Sequence, residues 1–338
     1  MSMKRDFRVA HFQRRMRPGR FSQEGVIEEV RRQLAGEIEV APFYCPHESN
    51  GIGRLLKNSV WARRHVMDIN HIIGDVHYLA LSLPAETTLL TVHDCVLIVQ
   101  RRGLKRLFFR LLWYRLPIAR ARIVTAVSEF TKRQLVDLAG CDPRKIVTIP
   151  NPVLSGFSAT TRAFRGEEPV ILQVGTGWNK NLPRVAEALK GIRCRLEIVG
   201  PLDARQSEDL IRNQIKHREH RSLDHRSMVS LYQSCDMVIF ASVYEGFGLP
   251  ILEGQASARP VVTSDICSMP EVGGNAACYV SPLRTESIRE GVLRIIEDRV
   301  YREGLVERGL ENIRRFDPKE VSNRYLALYD SVIQPVRH

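Results

Sequence analysis

The seven cysteines are odd in number and include neither a Cys-x-x-Cys pair nor a Cys/His cluster at ligand spacing. That argues against a disulfide framework and against a zinc site, and leaves reduced, packed thiols. No apolar run approaches the roughly eighteen residues that cross a bilayer, and the N-terminus sets only a few apolar side chains between arginines. The reading is a chain with neither span nor signal peptide, kept in the cytoplasm. The pattern Gly-x-x-x-x-Gly-Lys-Ser/Thr is missing, which removes the P-loop NTPases. Carboxylates are scarce in the first half: residues 1–150 hold 14 Asp and Glu against 25 Lys and Arg, whereas residues 151–338 hold 24 against 25. Nearly all of the net charge of +12 therefore lies in the first half. It points to an anionic partner there, with a merely solvated basic face as the alternative.

What is present suffices for two domains, each with its own core: 338 residues, 44% hydrophobic and 26% charged. Phe7–Phe12 reads as a strand, residues 14–20 as a basic loop and Val26–Leu34 as an amphipathic helix. Strands are expected at Ile38–Tyr44, Asp75–Ala80, Thr88–Asp94, Ile123–Ser128 and Ile146–Ile149, with helices opening after Asn50-Gly-Ile-Gly-Arg54 and at Glu129. In residues 101–122, Arg and Lys alternate with Leu, Phe and Trp. Such a helix can lie on anionic lipid headgroups, or it can be a connector with one face in the core, and the sequence leaves both readings open. Pro150-Asn-Pro152 opens a linker. Beyond it, strands at Val170–Val174, Arg195–Val199, Asp236–Ser242 and Pro260–Ser264 alternate with helices at Ser207–Lys216, Arg226–Ser234 and residues 286–315, and Val321–Val332 forms a last helix. This alternation on both sides of the linker indicates two open parallel sheets, with domains at 1–155 and 156–317 and a closing helix in 318–338.

The most specific stretch is Ala241-Ser-Val-Tyr-Glu-Gly-Phe-Gly-Leu-Pro-Ile-Leu-Glu253. It follows the apolar run Met237–Phe240, and Pro250 suits the start of a helix, so the chain turns from strand to helix across Glu245–Gly248. Gly246 and Gly248 allow close approach of backbone to ligand, and a helix start favours an anion such as a diphosphate. Glu245 precedes the helix and Glu253 lies inside it. Ionised carboxylates only accept hydrogen bonds, which suits vicinal sugar hydroxyls, so this layout fits a ligand with a sugar at each end of a diphosphate. A second glycine-rich turn, Gly175-Thr-Gly-Trp-Asn-Lys-Asn181, nearly makes the dinucleotide fingerprint, but Lys180 stands where its third glycine belongs. His93-Asp94 closes an apolar run, at the strand end where open α/β sheets bind ligands.

Glu245 and Glu253, eight positions apart around Gly-Phe-Gly-Leu-Pro, resemble the signature of retaining glycosyltransferases of family 4. The resemblance implies an α/β protein of the GT-B fold, two Rossmann-like domains facing each other across a cleft, the first on the acceptor side and the second binding a nucleotide sugar. It implies that Gly175, Thr176, Lys180, Glu245, Gly246, Phe247, Gly248, Leu249 and Glu253 hold the donor, with Lys180 at the diphosphate, Glu245 on the sugar hydroxyls and Glu253 on the ribose. It places His93 beside the transferred sugar, making His93, Glu245 and Lys180 the catalytic set, and it puts Gly19 and Asp94 on the acceptor side. The family usually has an arginine after the first glycine, where this chain has Thr176, so Lys180 remains the main side-chain cation. The family's front-face attack needs no protein nucleophile, no cofactor and no metal, and an Asp-x-Asp pair of the metal-dependent kind is absent.

The expected activity is metal-independent transfer of a hexose from a UDP- or GDP-sugar to a lipid-linked or surface-polysaccharide intermediate. An anionic membrane surface is the expected partner of the basic half, nucleic acid is not expected, and the localisation is cytoplasmic with peripheral attachment to the membrane's inner face. A retaining glycosidase built on Glu245 and Glu253 is disfavoured, since eight helical residues span about 12 Å and such a pair needs about 5–5.5 Å. An epimerase on the same fold and a non-catalytic membrane- or nucleic-acid-binding subunit are the remaining alternatives.

Overall fold

Twelve strands, all paired in parallel, make two six-stranded sheets in the computed structural model, which describes residues 5–15 and 22–333. The first sheet contains β1 (Arg8–Gln13), β2 (Glu39–Tyr44), β3 (Ile69–Ile72), β4 (Thr88–Val92), β5 (Ile123–Ala126) and β6 (Ile146–Thr148), in the order β2-β1-β3-β4-β5-β6. β3 and β4 are buried at every position, as strands covered on both faces must be. β2 lies at the edge and carries Pro42, whose missing N–H an edge tolerates.

The second sheet contains β7 (Val170–Val174), β8 (Arg195–Val199), β9 (Lys216–His220), β10 (Met237–Phe240), β11 (Val261–Ser264) and β12 (Cys278–Val280), in the order β12-β11-β10-β7-β8-β9. The edge strand β9 reads Lys-His-Arg-Glu-His. Charges of that density discourage another chain from pairing with the open edge.

Each order reverses once. β1 lies between β2 and β3, and β7 lies between β8 and β10. At such a point the loops leaving the carboxyl ends of two adjacent strands part to opposite sides and leave a crevice, where open α/β sheets take ligands.

Contacts divide the chain into two units, one of residues up to Pro152 together with those from Pro318 on, the other of Val153–Asp317. In the first unit the helix Pro318–Ile333 buries Val321, Tyr325, Leu326, Tyr329 and Val332 among Phe7, Val9, Ile38, Ile69 and Leu89. A chain of buried polar groups fixes its rotation. Tyr329 Oη lies 3.0 Å from His11 Nε2 and 2.7 Å from His71 Nδ1, His71 Nε2 is 2.8 Å from Thr91 Oγ1, and Thr91 meets Thr125 at 2.6 Å. Groups this deep require partners, so each holds its neighbour in place.

Several elements differ from the sequence expectation. The strand expected at 75–80 is a 3₁₀ turn, His77–Leu81, and the strand is Ile69–Ile72, whose Asn70 and His71 disguise it. Both polar residues are buried and paired, Asn70 with Met67 and Thr87, His71 with Tyr329 and Thr91. The helix expected to reach Lys216 stops at Arg212, and Lys216 opens β9 instead. The basic stretch is α-helical over Gly103–Phe108, π-helical over Phe109–Arg115 and α-helical again over Leu116–Arg120. Pro117 has no N–H to give the carbonyl of Trp113, four residues back. His77 Nδ1 donates to that oxygen instead, at 3.0 Å.

Candidate active site

β7 ends at Val174, and Gly175 then turns the chain with φ +91°. A Cβ at Gly175 would lie 2.9 Å from Lys180 Cε, so only glycine lets the Lys180 side chain fold back over this turn. Lys180 Nζ lies 2.6 Å from Glu245 Oε1 and 4.6 Å from the centre of the Phe240 ring. Glu245 follows β10, so the ion pair spans the two strand ends that part at the β7/β10 reversal. Both side chains keep partial access to solvent, 21% for Lys180 and 15% for Glu245, so a ligand can reach them.

The loop around this pair is locked at several points. Asn179 Nδ2 donates to Glu245 Oε1 at 2.8 Å and to the Tyr244 carbonyl at 3.0 Å. Asn181, at φ +60°, donates from Nδ2 to the carbonyls of Ala241 and Pro282. Ser268 Oγ lies 2.6 Å from the Phe247 carbonyl and 3.0 Å from that of Glu245. Thr176 donates to the Pro201 carbonyl at 2.6 Å. That hydroxyl is spent on a backbone oxygen, and Lys180 is the one cation of residues 175–181. Trp178 is half-exposed and stacks on Tyr244, with 6.4 Å between ring centres.

Gly248, at φ +119°, caps the helix Leu249–Ala256, all eight residues of which are buried. Gly246, Phe247 and Leu249 complete the turn, and Phe247 packs edge-on against Phe316. Pro250 stands at the second helical position and offers no N–H, so the first turn has fewer donors than a generic helix start. Glu253, on this helix, is buried and accepts a 2.5 Å hydrogen bond from the Tyr232 hydroxyl. Burial raises its pKa above the usual carboxylate value, while the Tyr232 bond, His225 and Lys180 pull it back.

His93 and Asp94 belong to the first unit. His93 is buried and its Nε2 lies 2.7 Å from the Ile73 carbonyl. A carbonyl only accepts, so Nε2 carries the proton. Burial lowers the pKa of His93 despite the opposing pull of Asp75, which keeps the ring neutral with Nδ1 as an acceptor. Asp94 Oδ1 accepts the Val96 N–H at 2.8 Å, at the start of the short helix Val96–Val99. Near the β1/β3 reversal, Arg14 pairs with Asp75 and Glu24, each at 3.0 Å. Gly19 lies outside the described residues.

The structure thus brings Gly175, Lys180 and Glu245 together, sets Thr176 against Pro201, and holds Glu253 deeper on the following helix. Sequence reasoning missed Asn179 and Tyr232. Asn179 was legible, being next to Lys180 in the glycine-rich turn. Tyr232, 21 residues before its carboxylate partner, left no signal.

Two family models match successive parts of the chain. The family Glycosyl transferases group 1 matches residues 168–298, and Glycosyltransferase Family 4 matches residues 14–154. The O-antigen chain mannosyltransferase B of Escherichia coli is 26% identical over 236 residues, which cover 62% of this chain and 60% of that protein. The O-antigen chain mannosyltransferase RfbU of Salmonella typhimurium is 26% identical over 235 residues, 67% of this chain and 61% of that protein. The chain therefore spans about three fifths of the length of these curated relatives. The structure of Anabaena HepE in complex with UDP and glucose superposes with a TM-score of 0.79 at 14% identity, covering 96% of this chain and 100% of that one, a likeness of fold.

Proposed function

The chain belongs to glycosyltransferase family 4, within the glycosyl transferases group 1 and with the GT-B fold, and from that premise we propose that it transfers a hexose from a UDP- or GDP-sugar, with retention and without a metal, to a lipid-linked or surface-polysaccharide intermediate. The observation that carries this reading is the Lys180–Glu245 pair at the β7/β10 reversal, a cation and a carboxylate held side by side and partly open to solvent. A diphosphate needs the first and sugar hydroxyls the second. The names of the two O-antigen mannosyltransferases support the substrate class.

In this reading Lys180, with the backbone of residues 246–249, stabilises the charge that builds on the leaving diphosphate. Glu245 exchanges its ion pair for hydrogen bonds from the sugar, and Asn179 keeps its carboxylate in place. Glu253, steadied by Tyr232, accepts from the ribose. His93, neutral, accepts a sugar hydroxyl at Nδ1. The bond from the anomeric carbon to the phosphate oxygen breaks as the acceptor oxygen bonds to that carbon on the same face, and the acceptor's proton passes to the departing phosphate. The transition state is oxocarbenium-like, so the protein's contribution is charge stabilisation and orientation.

The test is transfer in EDTA from a panel of UDP- and GDP-hexoses to a polyprenyl-diphosphate-linked saccharide, with the anomeric configuration of the product read by NMR. Retention from one donor supports the reading. Inversion, a requirement for metal, or release of free sugar with no transfer each contradicts it.

A further inference from the structure

Trp178 keeps 54% of its surface exposed, although the turn that carries it is tied down. Within the 3₁₀ turn Trp178–Lys180 the Lys180 N–H donates to the Gly177 carbonyl, and the Asn179 carbonyl takes the Val243 N–H, both at 2.8 Å. The indole lies on the ring of Tyr244, with 6.4 Å between centres and 20° between planes, an offset stack. Tyr244 is buried. The indole therefore rests on the packed interior with one face and leaves the other outside. Beside it, Asn179 Nδ2 donates to the Tyr244 carbonyl and to Glu245 Oε1, which spends both of its hydrogens and leaves Oδ1 to accept.

Accessibility rises along the site. Glu253 is buried, Glu245 and Lys180 are partly open, and Trp178 is half-exposed. A donor whose ribose meets Glu253 and whose hexose meets Glu245 fills the site from its floor, so the next ring to arrive meets Trp178. A pyranose carries hydroxyls on its rim and C–H groups on its faces. A backed indole suits such a face, and the adjacent Asn179 Oδ1 suits a rim hydroxyl. We propose that the outer face of Trp178 is the platform on which a pyranose ring of the acceptor stacks, which makes Trp178 a determinant of acceptor specificity. The inference rests on the reading of Lys180 and Glu245 as the donor site. Two aliphatic side chains, Ile266 after β11 and Leu283 after β12, are also exposed in loops that leave the carboxyl ends of their strands. A lipid chain would use these as readily as the indole and would gain nothing from Asn179.

The experiment has a binding arm and a kinetic arm. In the first, methyl pyranosides of mannose, glucose, galactose and N-acetylglucosamine are added to the full chain and to Trp178→Phe, and acrylamide quenching of the fluorescence is followed. The emission that Trp178→Phe loses reports on Trp178, and at least one glycoside is expected to shield it. In the second, with the polyprenyl-diphosphate-linked saccharide as acceptor, Trp178→Ala is expected to raise the acceptor KM about tenfold or more, the worth of an aromatic side chain buried by a ligand. Trp178→Phe keeps a flat ring and should stay within about threefold of wild type. Donor KM should not change in either variant, and Leu283→Ala should leave both KM values as they are. Matched thermal midpoints exclude misfolding. The proposal is overturned if no glycoside shields Trp178, if Trp178→Ala raises donor KM instead, or if Leu283→Ala costs as much as Trp178→Ala, which would make a lipid chain the occupant. Normal transfer with an acceptor KM indifferent to Trp178→Ala rejects the platform and leaves the donor site standing. Shielding of Trp178 in a chain that transfers no sugar rejects the catalytic reading and supports the platform.

Discussion

Lys180 and Glu245, 65 residues apart in the chain, meet at 2.6 Å where β7 and β10 part. In the ligand-free chain each neutralises the other, and a donor has to separate them. Removing either is expected to cost transition-state stabilisation rather than fold: Lys180→Ala lowers kcat/KM about a hundred- to a thousandfold, with little change in thermal midpoint because the pair is partly solvated. Glu245→Gln is expected to fall in the same direction. If the two act as one unit, the double variant loses far less than the sum of the two single losses, which steady-state kinetics on all four proteins would show.

The Tyr232–Glu253 hydrogen bond is buried, so it acts on fold and site together. Tyr232→Phe leaves the Glu253 oxygen without its donor and is expected to lower stability by about 1–3 kcal/mol. Donor KM should rise more than kcat falls, because Glu253 is assigned to the ribose, away from the reacting centre. Chemical denaturation and kinetics with varied donor check the two parts. An unchanged KM would remove Glu253 from the ribose.

Gly175 combines φ +91° with a Cβ position 2.9 Å from Lys180 Cε. Gly175→Ala therefore strains the backbone and pushes the Lys180 side chain off the turn. A loss of about 1–3 kcal/mol is expected, together with a kcat/KM close to that of Lys180→Ala. Activity near wild type would mean that Lys180 works from a different position.

Stability should fall in mild acid. Burial lowers the pKa of His11 and His93, brings His71 to about 3 and brings His77 to about 4. The unfolded chain takes up protons at these rings near the ordinary histidine value of about 6.5, and the folded chain does not. Unfolding is therefore favoured progressively as pH drops below that value. Above it the rings are neutral in both states and contribute no slope. The thermal midpoint is expected to decline from near pH 7 toward pH 5, and His71→Asn to flatten the decline by up to about 1.4 kcal/mol per pH unit. A slope identical to wild type would show that His71 protonates in the folded state.

The sequence shows most clearly what depends on local pattern. The largely apolar strands β4, β7 and β10 and the glycine turns around Lys180 and Glu245 can be read from a few neighbouring residues. β3 could not, because Asn70 and His71 look like loop residues until Tyr329, 258 residues beyond His71, supplies a partner. β9 could not either, since an edge strand made of Lys, His, Arg and Glu has no apolar signature. In the site, Asn179 lies beside a residue already singled out, whereas Tyr232 reaches Glu253 from a separate helix 21 residues earlier in the chain. The π-helical turns at Phe109–Arg115 depend on Pro117 and on a histidine 36 residues from the carbonyl it serves, a pairing that spacing does not encode.

The most direct measurement is calorimetric titration of UDP and GDP, in EDTA, into the wild-type chain and Lys180→Ala. The account predicts that one of the two binds without metal and that Lys180→Ala weakens it about tenfold or more, the worth of a charge-assisted contact to a phosphate. No binding by either nucleotide, or equal binding to both proteins, would contradict a donor diphosphate held at the β7/β10 reversal.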